Sequence, residues 1–509
     1  MMIAAGTFNP PSIDWFALSP LLVLLGGGLV LLVAAALTPQ WPKHLYAWST
    51  VAIGLAALAT TFVQWHDISK DGAKTLVGGA LSYDHLALFG TITICIGLCL
   101  AALVTDDFLR REGMEGPEVY GLFLMAAVGA VVMVMSNDLI VLFLGLETLS
   151  IALYVLAASN RRRVESQEAG IKYFVLGGFS SAFFLYGIAL IYGATGSTNF
   201  TTILAAFDSV PVHRRDAFAL VGVGLMLVGL GFKVSAAPFH FWSPDVYQGA
   251  PTPITAFMAS VGKTAAFAAM LRVLIIALPN WKDDWRPVIW VIAVLTLLVG
   301  SISAVVQTNV KRMLAYSSIS HAGFILLGVE AAGHAGASGA GGMPGTMMYL
   351  MIYSVLVIGT FAVVTVVGRT GDAATDLGSF RGLSKQQPLL AMALTVFLLA
   401  QAGVPLTSGF IAKVGVIKAV VDEHSYALAI IAMVSAVIAA FLYLRIMVNV
   451  WLADPETGDD TREPVRVPLS TGIAIALCAG FTLYVGFNPG WLIDASDMVT
   501  NVARPLTGG

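Results

Sequence analysis

The chain reads as long apolar runs separated by short polar ones. Runs of about 20 residues, the length that crosses a bilayer, fall at 18–37, 45–65, 84–104, 117–135, 138–158, 169–194 and 217–242. The second half continues with 254–277, 287–306, 313–332, 346–368, 388–418, 425–450 and 468–487. This pattern predicts an all-α polytopic membrane protein of about 14 transmembrane helices. Only Ser136, Asn137 and Asp138 divide the fourth run from the fifth, so those two should form a tight antiparallel hairpin.

Two runs carry breaks. The seventh is interrupted at Ala236-Ala237-Pro238 and the twelfth at Gly403-Val404-Pro405-Leu406. Proline removes a helical hydrogen bond and clashes with the preceding turn, so helices 7 and 12 are expected to be discontinuous at Pro238 and Pro405. The broken runs lie five apart, an odd number, so matching elements cross in opposite directions. That is the pattern of two inverted five-helix repeats, helices 4–8 and 9–13. The expected division is an N-terminal three-helix segment (1–116), a first repeat (117–280), a second repeat (281–452), and a connector with a last helix (453–509).

Composition sharpens the class. Apolar residues make up 58% and charged ones 11%, against about 25% charged in soluble domains. No basic patch suits nucleic acid. The first 18 residues hold no Lys or Arg, so they lack the charged start of a signal peptide, and the first helix is expected to remain as an anchor. Cys95, Cys99 and Cys478 fall inside predicted helices and read as small packing residues, since two thiols on one face make neither a zinc nor an iron–sulfur set. No cofactor site is expected in this chain.

Loops after odd-numbered runs contain Lys43, Arg110, Arg111, Arg161 to Arg163, Lys311, Arg312, Arg369, Arg381, Lys385, Arg462 and Arg466. The opposite loops contain Lys70, Lys74, Arg214, Arg215, Lys282, Arg286 and Arg504. The first set is larger and is expected to be cytoplasmic, with both termini outside. Residues 331–345 are Gly/Ala-rich and read as a mobile outer loop. Residues 453–467 read as a solvated connector or an edge for a partner.

Charges inside apolar runs are costly and point to ion paths. Glu147 lies near the middle of the fifth run, and Lys233 late in the seventh is its expected ion-pair partner, with a static salt bridge as the bland alternative. Lys263 is deep in the eighth run and Lys413 follows the break in the twelfth. His240, His321 and Tyr316 offer polar links between them; histidine changes charge near neutral pH, although an intramembrane His also serves as a packing residue. A haem held by two histidines has no other support in the sequence. Lys172, about one turn into the sixth run, either joins the path or reaches back to the interface.

The strings LGLETLSIALYVLAA, FKVSAAPFHFWSPDVYQGAPTPITAFMASVGKTAAF, NVKRMLAYSSISHAGF and PLTSGFIAKVGV resemble the antiporter-like membrane subunits of respiratory complex I, the proton-pumping NADH:quinone oxidoreductase. The resemblance covers helices 4 to 13. It implies that Glu147, Lys233, Lys263 and Lys413 carry protons, with His240, Tyr316, His321 and Lys172 supporting them. Lys413 stands where M-type subunits carry glutamate, and the chain stops 22 residues after the fourteenth run where L-type subunits continue, so the likeness is to the N-type branch. It also implies that NADH, FMN, iron–sulfur clusters and quinone bind partner subunits. The expected neighbours are another antiporter-like subunit, small membrane subunits and the lipid of a bacterial cytoplasmic membrane. The alternatives are a subunit of a multisubunit cation/proton antiporter or membrane-bound hydrogenase, a stand-alone solute transporter, and a structural scaffold.

Overall fold

In hydrocarbon every backbone N–H and C=O must find a partner within the protein, and a helix does this locally. The computed structural model describes residues 13–38, 41–208, 217–335, 342–454 and 466–502. In chain order the helices are α1 (Ser19–Leu37), α2 (His44–Asp71), α3 (His85–Glu112), α4 (Pro117–Met135), α5 (Leu139–Ala157), α6 (Val164–Thr195) and the short α7 (Phe200–Asp208). Next come α8 (Ala217–Lys233), α9 (Trp242–Gly249), α10 (Thr252–Phe257), α11 (Lys263–Leu271), α12 (Lys282–Val305), α13 (Val310–Ala335) and α14 (Gly342–Val367). The last are α15 (Leu383–Gln386), α16 (Pro388–Ala402), α17 (Ser408–Asp422), α18 (Tyr426–Trp451), α19 (Leu469–Phe487) and α20 (Gly490–Asp497).

Twelve described helical segments are long and apolar enough to cross a membrane. The remaining two predicted runs are the ones expected to break. One is built from α8 and α9, the other from α16 and α17. Caps fix several ends. The Asp84 carboxylate accepts from the Ala87 N–H at 2.8 Å to start α3, and Asp138 does the same for Ile140 at 2.8 Å to start α5, satisfying donors that a helix start leaves open. Gly113 closes α3 at φ 61, a left-handed turn that suits glycine.

One departure from the all-α expectation is a two-stranded hairpin, β1 (Lys74–Leu76) with β2 (Leu81–Tyr83). Strands of three residues are too short to leave a periodic signal. Its turn passes Gly78 (φ 63) and Gly79 (φ 88), and the side chains of Asn137 and Asn199 each donate to the Gly79 carbonyl at 2.8 Å. The hairpin thereby ties down the α4–α5 turn.

The helices form a buried centre with a lipid-suited rim. α13 and α14 are almost wholly buried, whereas α1, α6 and α18 expose Leu29, Val30, Phe179, Tyr186, Val437 and Phe441. Loops predicted to share a side meet at one end. Lys43 pairs with Glu115 at 3.1 Å, Arg163 with Asp372 at 3.5 Å, and Arg445 donates to the Gln307 carbonyl at 2.8 Å. At the other end Lys74 pairs with Asp14 at 2.8 Å and Asn280 donates to Asp208 at 2.8 Å. The centre of the predicted Gly/Ala-rich loop (336–341), most of the charged connector (455–465), Arg214, Arg215, Arg462 and Arg504 lie outside the described residues.

Candidate functional site

The first break begins where α8 ends, at Lys233. Ser235 takes φ 62, the Ala237–Pro238 bond is cis, and helix resumes at Trp242. Freed backbone groups are answered locally. The Trp242 indole donates to the Phe232 carbonyl at 2.9 Å, and the Ala237 N–H donates to the Thr296 hydroxyl at 2.9 Å. The second break lies between Ala402 and Ser408, with Gly403 at φ 89 and Leu406 at φ 68. A β-carbon on Gly403 would come within 2.9 Å of the Lys413 side chain, so glycine makes room for that lysine as well as for the turn.

Lys233 is buried in a cage of hydroxyls and rings. Its ammonium donates to the Ser150 hydroxyl at 2.7 Å and to the Tyr173 hydroxyl at 3.4 Å. It also lies 5.4 Å from the centre of the Tyr173 ring and 5.8 Å from that of Tyr154, distances at which a cation is attracted to an aromatic face. Tyr173 in turn stacks on Trp242, centroids 4.5 Å apart.

The expected direct pair with Glu147 is not made. Glu147 is half-buried and accepts a hydrogen bond from Ser181, while Ser150, on the inner side of the same helix, takes the lysine. A cavity of about 10 Å³ beside the lysine is lined by Lys233, Ser150 and Ser181, the last being the residue that donates to Glu147. That is room for about one water. Glu147 reaches the lining of that cavity only through Ser181.

The eighth predicted span is not a plain α-helix. It loosens into a π-turn at Met258–Gly262, returns as α11, and loosens again at Arg272–Ala277; such turns recur at functional sites. Lys263 opens α11 and donates to both the hydroxyl, at 2.5 Å, and the backbone carbonyl of Ser318. The Tyr353 hydroxyl donates to the same Ser318 hydroxyl at 2.7 Å.

On α13, Ser318, His321 and Phe324 recur every three residues and share a face. His321 has both ring nitrogens engaged, by Tyr349 at 2.7 Å and Tyr443 at 3.2 Å. The Tyr443 hydroxyl also meets Ser317 at 2.6 Å, and Ser317 donates to Gln401 at 3.3 Å, at the end of α16. Lys413 lies over the Phe324 ring at 4.9 Å and donates to the Ala402 carbonyl at 2.8 Å. Its partner is the open C-terminal end of a half-helix, which carries partial negative charge. One face of α13 therefore spans from the Lys263 site to the Lys413 site.

Other sequence candidates fall outside this cluster. Tyr316 is half-buried and makes no side-chain hydrogen bond among the described residues. It stands five residues before His321, a rotation of about 140° that turns it off the shared face. His240 is buried in the first break with its Nδ1 unpartnered and touches Phe241; among the described residues it makes no hydrogen bond to a lysine. Lys172 binds Glu168 at 2.6 Å and Asp245 at 2.9 Å, and Asp245 also receives Arg312 at 2.6 Å. Burial acts to raise the Asp245 carboxyl, but the hydrogen bonds from Lys172 and Arg312 outweigh it and hold it below the ordinary carboxylate range.

Sequence reasoning missed the groups that hold the lysines: Ser150, Tyr173, Ser318, Tyr349, Tyr353 and Tyr443. Each is a polar side chain in an apolar run, which was the available signal. It also missed two buried ion pairs, Arg272 with Asp84 at 2.7 Å and Lys311 with Asp372 at 3.1 Å. Lys311 additionally donates to the Ala250 carbonyl at 2.6 Å, and Thr252 donates to Asp372 through its hydroxyl at 2.8 Å.

Broken helices that each present a lysine to a buried polar face define the antiporter-like class of membrane subunit, and comparison with known proteins agrees. The family described as NADH:quinone oxidoreductase/Mrp antiporter, TM matches residues 136–439. A chain of respiratory complex I from Thermus thermophilus superposes with a TM-score of 0.78 at 31% identity, covering 94% of this chain and 99% of that one. A chain of an archaeal membrane-bound sulfane sulfur reductase superposes with a TM-score of 0.83 at 27% identity, covering 96% and 97%. NADH-quinone oxidoreductase subunit N of Mycobacterium tuberculosis is 39% identical over 97% of this chain and 99% of its own length. The chain belongs to the subunit N family of the NADH-quinone oxidoreductases.

Proposed function

We propose that this chain is one proton channel of a bacterial NADH:quinone oxidoreductase, with Glu147, Lys233, Lys263 and Lys413 as its titrating groups. The observation that carries this reading is the face of α13, where Ser318, His321 and their tyrosine partners span from Lys263 to Lys413. Hydroxyls, an imidazole and amines can each hold and pass a proton. A hard metal cation such as Na⁺ would need several oxygen ligands and would be repelled by an ammonium, so the chemistry favours H⁺.

Movement of charge at Glu147 would tune Lys233 through Ser181, which lines the small cavity beside the lysine. Lys233 would serve the inner half of the route and Lys413 the outer half. The Arg- and Lys-rich end, with Arg163, Lys311 and Arg312, faces the cytoplasm, and both termini lie on the other side. The two broken segments belong to inverted repeats. NADH, FMN, iron–sulfur clusters and quinone are bound by partner subunits, and their chemistry drives this chain from a distance. His321 is not a metal ligand in this reading, because tyrosines occupy both of its nitrogens.

The test is Lys263→Ala in the assembled complex in its own membrane, with NADH:quinone turnover and proton translocation measured together. Both should fall by about tenfold or more, since a positioned proton-transfer group contributes about a hundredfold or beyond. Unchanged rates with the subunit present would end the channel assignment.

A further inference from the structure

Beyond Lys413, α13 continues towards the end of the molecule that carries Asp208, Asn280 and Lys282. Six residues after Phe324, about 9 Å further along the helix, stands Glu330, whose side chain is only 2% exposed. A carboxylate buried this deeply is tolerated only with partners. Glu330 has two: His334 Nε2 lies 2.9 Å from its Oε1, and the Ser425 hydroxyl donates to both oxygens at 3.2 and 3.3 Å. His334 is 23% exposed, so the pair steps from the interior towards the surface.

The other face of the imidazole decides its tautomer. Arg286 on α12 lies 3.2 Å from His334 Nδ1. A guanidinium can only donate, so Nδ1 must be the acceptor, and the hydrogen of a neutral ring sits on Nε2, pointing at Glu330. In this arrangement the imidazole cannot take a proton from Glu330, because Nε2 is already protonated. Nor can it take one from outside at Nδ1, which Arg286 covers. Lys282, also on α12, reaches the His334 carbonyl at 3.4 Å and adds a second cation beside the ring. From the α17–α18 link the group that touches the pair is Ser425.

We infer that Glu330 and His334 form the outward proton-release station of this chain and that Arg286 is its gate. This rests on the Lys413 route proposed above. A proton leaving the Lys413 region is taken by the Glu330 carboxylate. When Arg286 withdraws, His334 shifts its hydrogen to Nδ1 and frees Nε2. The carboxyl proton then passes to Nε2 while the Nδ1 proton leaves to water, so one proton enters the ring and one departs. With Arg286 in place the same ring blocks return from outside.

Two measurements on the assembled complex in membrane vesicles test this. Glu330→Gln should lower turnover and proton translocation together by about tenfold, as Lys413→Ala does, while Glu330→Asp retains most of both. Arg286→Ala should speed the passive collapse of an imposed pH gradient without NADH, and Glu330→Gln in that background should restore the slow collapse. Wild-type rates in Glu330→Gln beside a defective Lys413→Ala would overturn the release station alone. Wild-type rates in both would overturn the Lys413 route itself. If Glu330→Gln prevents assembly, the Arg286→Ala leak decides, and a gradient as tight as wild type rejects the gate.

Discussion

Lys233 and Lys413 both stand at broken helices, yet they are held by different means. Lys233 ends its half-helix and is caged by the Ser150 and Tyr173 hydroxyls, beside a small cavity whose lining Ser181 donates to the Glu147 carboxylate. Lys413 follows its break and is held by the Ala402 carbonyl and an aromatic face, with no carboxylate bonded to it among the described residues. On the proposed route the first site would answer a charge arriving from the side. The second is built around a fixed dipole and answers chiefly to whether a proton is present. A break and a lysine recur, but their surroundings differ.

The largest effect should come from removing either ammonium. Lys233→Ala and Lys413→Ala should each cut coupled turnover by about tenfold or more, measured as quinone reduction with proton uptake; full activity in one of them would show that the two sites are not partners in a single route. Glu147→Gln sharpens the contrast further. It should lower turnover several-fold, on the scale of about 1 kcal/mol for a screened charge interaction. That loss should vanish in a Lys233→Ala background and persist in a Lys413→Ala background, the signature of coupling to one lysine only. Equal behaviour in both backgrounds would remove the distinction drawn here.

The smallest effect concerns the inner end, near the Lys233 side, where Asp245 joins Lys172 to Arg312. Its carboxyl is held below the ordinary value by those two cations. A lowered folded value stabilises the protein above the unfolded value, near about 3.9, and that contribution is lost as pH falls through the folded value. Asp245→Asn should thus lower the thermal midpoint slightly at neutral pH, within about 1 kcal/mol for exposed pairs. The difference from wild type should close on acidification below the ordinary carboxylate range; a gap that widens there would contradict the sign.

Much of this arrangement was legible in the sequence, for specific reasons. Pro238 and Pro405 interrupt apolar runs, and lysines in such runs have no cheap explanation, so the breaks and the four titratable positions could be read from residue type alone. Side-chain direction could not. Glu147 and Ser150 are one turn apart, and only the packing of α5 against α6 and α8 decides that serine faces Lys233 while glutamate turns to Ser181. Tyr316 stands near His321 along the chain, yet five residues rotate it away. The tyrosines that do engage His321 come from α14 and α18, far off in sequence, where no spacing rule could join them.

The span that carries Lys263 is moored at both ends. On the basic side Asp372 receives Thr252 and Lys311, and on the other side Arg272 grips Asp84 and the Val134 carbonyl. Breaking a buried pair such as Arg272–Asp84 costs about 3–5 kcal/mol, and the other end is held by the two hydrogen bonds that Thr252 donates to Asp372. A rod fixed at both ends can neither slide nor tilt. Between the two moorings the winding is loosest at the π-turn Met258–Gly262, since the second π-turn begins at the moored Arg272 itself. A residue deleted from Met258–Gly262 should therefore turn Lys263 by about 100° away from Ser318.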